Sequence, residues 1–215
     1  MKRLVFIWLA LNLSVGLLHA SDPIRTFYSD STAYLVDSLR VVYSQNKTYP
    51  PDLEHTFMLA LMFYPEFSET RIDVKRRNIK TTMQCRPSIG SFFRSKENRT
   101  YRIFVNKDSL GRDGVVFEEL GFNAQVGIFG HELAHVLDYE SKNNTQIAVM
   151  GLQYLNDRKR REIEQDIDML AIQRGLGHQI NDFAVYVFEE SKASESYKAY
   201  KKRFYLQPMQ ICDIL

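Results

Sequence analysis

At 215 residues, 45% of them hydrophobic and 25% charged, the chain can bury one real core and is too short for two large domains. Two of its 28 Lys and Arg lie in the first twenty residues, which leaves 26 basic side chains against 26 acidic ones in the remainder. That balance argues against nucleic acid as a partner, because phosphate-binding proteins concentrate positive charge. The basic runs KRR at 75–77, RKRR at 158–161 and KKR at 201–203 read instead as solvated faces.

Residues 1–20, MKRLVFIWLALNLSVGLLHA, have a basic start, an apolar run broken by Asn12 and Ser14, and a small residue, Ala20, ahead of a polar SDP. This pattern predicts a secretory signal peptide cut after Ala20. The apolar run is shorter than the ~20 residues a bilayer span needs. The expectation is a single domain over 21–215, secreted or periplasmic, with no stable membrane span after cleavage. Export makes a disulfide between the two cysteines, Cys85 and Cys212, chemically possible, but the sequence does not bring them together. Neither has the CxxC spacing of a metal or redox site.

Helical spacing of Tyr34, Leu35, Leu39, Val42 and Tyr43 predicts a first helix over 31–45, stopped by NKTYPP. Asp52 is placed to cap a second, in which Leu53, Phe57, Leu61 and Tyr64 repeat the pattern until Pro65. Beyond Pro65 the period becomes two. Ile72 and Val74 alternate with charges, then Ile79, Thr81, Met83 and Cys85 alternate in the opposite phase, which predicts strands broken near Arg77. TYRIFVN at 100–106 is a third strand, read as an edge open to an extended peptide. A Gly-containing loop over 107–121 leads into IFGHELAHVLDYE, residues 128–140.

That last stretch carries chemistry. At about 100° per residue, His135 falls roughly 40° from His131 and one turn above it, so both imidazoles reach one ion. Glu132 flanks the stripe, where it can work on a water beside the metal. The remainder, including Val126, Phe129, Leu133, Ala134 and Val136, is apolar nearly all round, so the helix is buried. Two histidines and a glutamate there are costly without partners, and a cation removes the cost. With five His and thirteen Glu in the chain, a chance H-E-x-x-H is expected on the order of once in a hundred such sequences, so a zinc site is the better reading.

A catalytic zinc ion takes three protein ligands and keeps a fourth position open. Asp138 shares the helix face but lies a turn too far. REIEQDIDMLAIQRGLG, residues 161–177, is the better source. Ile163, Ile167 and Leu170 form its apolar stripe, with Glu164, Asp168 and Ala171 along the adjacent edge and Gly175 or Gly177 as its stop. Glu164 can complete the ligand set, and Asp168 can accept the remaining ring N–H of a ligand histidine. Glu162 with Asp166 offers the same spacing in a competing register. His178, Tyr197, Tyr200 and Tyr205 are candidates to steady an oxyanion, with nothing in spacing to choose among them.

At these residues the chain resembles the gluzincin branch of the zincin metallopeptidases, whose pattern is H-E-x-x-H followed by E-x-x-x-D. His131, Glu132 and His135 match the first part. Glu164 and Asp168 match the second, beginning 29 residues after His135. TMQCRP at 82–87 and RIFVN at 102–106 look like the strands that precede the active helix in minimal gluzincins. The resemblance covers about 79–177 and implies an α+β, zincin-like fold: a small sheet on the H-E-x-x-H helix, with further helices at both ends. It implies a zinc-dependent (Zn2+) metallopeptidase that cleaves peptide or protein substrates through a zinc-activated water, with Glu132 as general base. A zinc hydrolase of a non-peptide amide would use the same residues. A non-catalytic zinc-binding protein would use the ligands alone, but a structural site needs no general base and usually closes its fourth position.

Overall fold

The computed structural model describes residues 23–92, 94–107 and 114–215, so the expected signal segment lies outside the described residues. The fold is α+β, with a small mixed four-stranded sheet and helices before, between and after its strands. The first predicted helix is two: α1 (Ser29–Thr32) and α2 (Leu35–Tyr43). The Thr32 hydroxyl donates to the Tyr28 carbonyl at 2.8 Å, a local bond that competes with helix continuation. Asn46, at φ 61°, turns the chain out of α2 into the short strand β1 (Lys47–Thr48).

The second predicted helix is α3 (Glu54–Leu61), buried along most of its length and entered through a 3-10 turn at Pro51–Leu53. Asp52 does not cap it. Its carboxylate pairs with Arg76 on the sheet, which supplies a charged partner where a cap offers only a backbone N–H.

β2 (Arg71–Arg77) and β3 (Met83–Pro87) are separated by residues 78–82, so Ile79 and Thr81 belong to the connection and not to the strand. After α4 (Ile89–Phe92) comes β4 (Thr100–Asn106). The strand order is β1-β2-β4-β3, with β2 parallel to β4 and β3 antiparallel to it. Residues 101–106 are therefore interior and not the open edge their composition suggested. Strand order is a long-range property that no local pattern carries. Among the described residues the edges are β1 and β3.

The buried face of the sheet, Ile72, Val74, Met83, Cys85, Ile103 and Val105, belongs to one apolar core with α3 and the central helix α5 (Phe122–Glu140). α6 (Asn144–Gln153) and α7 (Asp157–Ala171) follow. A wide turn at Ile172–Leu176 then leads to α8 (Gly177–Val185), and the chain ends in α9 (Glu195–Phe204) and α10 (Pro208–Cys212). Gly175 adopts φ 95°, which only glycine takes without strain, and there the α7 direction ends.

α8 crosses α5 at backbone contact. A Cβ on Gly127 would lie 2.2 Å from the Gln179 carbonyl oxygen. The Gln179 amide donates to the Ile24 carbonyl at 2.8 Å, and Asn123 on α5 accepts the Phe27 N–H at 2.8 Å, so the segment before α1 is tied to the same crossing. Cys85 is buried, Cys212 is exposed, and both are free thiols, so the possible disulfide is not formed. Among the described residues no helix is long and apolar enough to cross a membrane.

Candidate metal centre

α5 and α7 build the centre between them. His131, Glu132 and His135 on α5, and Glu164 and Asp168 on α7, are each at most 6% exposed. Glu164, Ile167, Asp168 and Ala171 are the buried residues of α7, which is the i, i+3, i+4, i+7 face of a helix set against α5. Glu162 points to solvent and binds the Lys159 ammonium at 2.6 Å, and Asp166 is exposed, so the competing register faces away. Asp138 pairs with Lys142 instead of turning to the histidines.

One oxygen of Glu164, Oε2, lies 3.5 Å from His131 Nε2 and 3.4 Å from His135 Nε2. The ligand atoms of these three residues all fall within 4.8 Å of one another. Behind His131, Nδ1 lies 2.8 Å from Asp168 Oδ1, while Asp168 Oδ2 accepts the Leu206 N–H at 3.0 Å. His135 has no such support: among the described residues its Nδ1 is buried without a partner.

Charge in this pocket is tightly coupled. Burial works against the His131 imidazolium, but the facing carboxylates of Asp168 and Glu164 outweigh it and raise the group to about 10. Burial likewise opposes the Glu164 carboxylate, and the two imidazoles beside it more than compensate, holding it well below the usual range. Glu132 goes the other way, pushed up by burial against the pull of His131 and His135.

These residues fit a metal ion on two grounds. Glu132 Oε2 is buried with no hydrogen-bond partner among the described residues, an arrangement that costs free energy unless a cation, water or substrate completes it. Spacing is the second. A tetrahedral ion with bonds of about 2.0–2.2 Å needs ligand atoms about 3.3–3.6 Å apart, which is the separation Glu164 keeps from both imidazoles. The buried group of His131, His135 and Glu164 could therefore hold a metal ion.

The centre opens into a cleft of about 850 Å³ between the sheet and the C-terminal helices. Met83, Gln84, Cys85 and Arg86 of β3 line one wall, and Arg160, Glu164, Tyr197 and Tyr200 line the other. Of the four oxyanion candidates, His178 is not among the lining residues. The Tyr197 hydroxyl is 3.2 Å from the Thr82 hydroxyl, and the Tyr200 hydroxyl accepts from Arg160. Tyr205 packs its ring 5.7 Å from His131, and burial pushes its phenol up, so it remains a donor at neutral pH.

Sequence reasoning missed Arg160 and Lys201 by treating basic runs as solvated. Arg160 lies over the Phe204 ring at 4.6 Å, and Lys201, only 5% exposed, lies 3.9 Å from the Tyr205 ring centroid. Arg160 was visible in principle, since it precedes Glu164 by four residues on the same helix edge. No protein-family model matches the chain, and no curated protein and no solved structure matches it either.

Proposed function

We propose that the chain is an exported zinc metallopeptidase of gluzincin type, with a zincin-like fold, that hydrolyses peptide or protein substrates. The carrying observation is the meeting of His131, His135 and Glu164 at one buried point with the unpartnered Glu132 carboxylate in the same cleft. Zinc, when bound, supplies a Lewis acid that activates water and polarises a carbonyl. Asp168 accepts the Nδ1 proton of His131, which fixes the tautomer and leaves Nε2 as the ligand nitrogen. Glu132 Oε2 takes the proton of the attacking water and delivers it to the leaving nitrogen. The Tyr205 hydroxyl donates to the developing oxyanion.

The β3 edge favours an extended peptide over a compact amide. Among the described residues β3 is an edge strand that lines the cleft, where a substrate strand can add to the sheet. The test is a metal analysis of the purified mature protein, read with hydrolysis of a peptide library before and after chelation. The expected result is about one zinc per chain and turnover that is lost with the metal and restored by it.

A further inference from the structure

Arg160 is half-buried, yet among the described residues it makes no ion pair. Arg40, Arg76, Arg174 and Arg203 each pair with a carboxylate, whereas among the described residues Arg77 and Arg86, over the Phe104 ring, make no ion pair either. Arg160 is surrounded by rings instead. Its guanidinium carbon is 4.6 Å from the Phe204 centroid, 4.9 Å from Tyr200 and 5.8 Å from Tyr154. One N–H goes to the Tyr200 hydroxyl, and Nε is buried with no hydrogen-bond partner among the described residues.

Its position gives this meaning. Arg160 stands one helical turn, about 6 Å of rise, before Glu164 on α7, and both side chains line the cleft. Lys80 and Arg86 line it too, while the carboxylates among its lining residues are only Glu132 and Glu164. We infer that Arg160 receives a carboxylate of the bound ligand, so that the cleft selects acidic peptides. The guanidinium lies among these rings at the cleft wall, where its remaining terminal N–H groups can donate to a carboxylate. The carboxylate comes either from an Asp or Glu side chain or from the peptide's C-terminus. This inference rests on the peptidase reading for what is cleaved, but not for what is bound.

Binding is therefore measured apart from turnover, by calorimetry on the full mature chain loaded with zinc and carrying Glu132→Gln. The probes are acetylated hexapeptides in matched pairs, Glu against Gln at each position, each made with a free C-terminal carboxylate and as an amide. The acidic member should bind roughly ten- to a hundredfold tighter, the scale of a charge-assisted hydrogen bond. Arg160→Gln should bring that ratio close to one, and Arg160→Lys, which keeps the charge but not the fork, should lower it part of the way. A preference that follows the free C-terminus, or one that follows Glu, identifies the source.

Equal affinity for acidic and neutral peptides overturns the inference, as does a ratio that survives Arg160→Gln, or no binding of any peptide. If Arg160→Gln does not fold, a ratio in Arg160→Lys equal to the parent's overturns it as well. Failure of the chain with Glu132 intact to cleave peptides that it binds contradicts the peptidase reading alone, because the binding ratios still decide the carboxylate site.

Discussion

Asp168 holds His131 with one oxygen and the backbone N–H of Leu206 with the other, at 2.8 and 3.0 Å. A single buried carboxylate thus fixes the orientation of a candidate metal ligand and anchors the segment after α9 beside the cleft. Asp168→Ala should weaken zinc binding by roughly ten- to a hundredfold, the usual loss when a ligand histidine loses its supporting acceptor. Competition with a chelator of known affinity measures it. An affinity equal to the parent's would show that Asp168 does not support the metal.

Glu164→Ala should remove most of the bound zinc, because it deletes the carboxylate oxygen that lies within 3.5 Å of both imidazoles. Glu162→Ala should leave the metal in place, since that side chain is engaged by Lys159 at the surface. Metal stoichiometry of the two purified variants decides between the registers. Zinc retained in Glu164→Ala and lost in Glu162→Ala would reverse the assignment.

Much of the centre was legible in the sequence because its parts are local. Two histidines four apart share a helix face whatever the fold around them, and Glu164 with Asp168 is a helix edge readable from periodicity. What was not legible depends on distant partners. The place of β4 inside the sheet comes from its pairing with β2 and β3. Asp52 was free to be a cap until Arg76 was brought within reach. Arg160 and Lys201 look like surface charge in the sequence, and only the rings of α8, α9 and the residues after α9 turn them inward.

Gly127→Ala tests the crossing that seats α8 against the metal helix. Alanine gains about 1 kcal/mol of helix propensity over glycine. Its methyl, however, would fall on the Gln179 backbone, which has no flexible side chain to yield. Overpacking of this kind costs about 1–3 kcal/mol, or roughly 2–12 °C in melting temperature for a chain of this length. A thermal melt equal to or above the parent's would show that the contact is loose.

The N-terminal expectation is tested outside the described residues. The exported product should begin near Ser21 when its N-terminus is sequenced. A product that still begins at Met1 would remove the case for export.

Whether the centre is catalytic turns on Glu132. Its carboxylate lies in the cleft beside the three candidate ligands without being one of them, and its Oε2 has no partner among the described residues. Gln keeps the size and a hydrogen-bonding group but cannot act as a base at neutral pH. Glu132→Gln should therefore retain the fold and the zinc of the parent while hydrolysis of a validated peptide falls by at least ~10²-fold, the scale of a lost general base. The decisive measurement is kcat/KM of this variant at full zinc occupancy. A fall of that size with zinc retained is the predicted result, and hydrolysis at the parent's rate would contradict the mechanism.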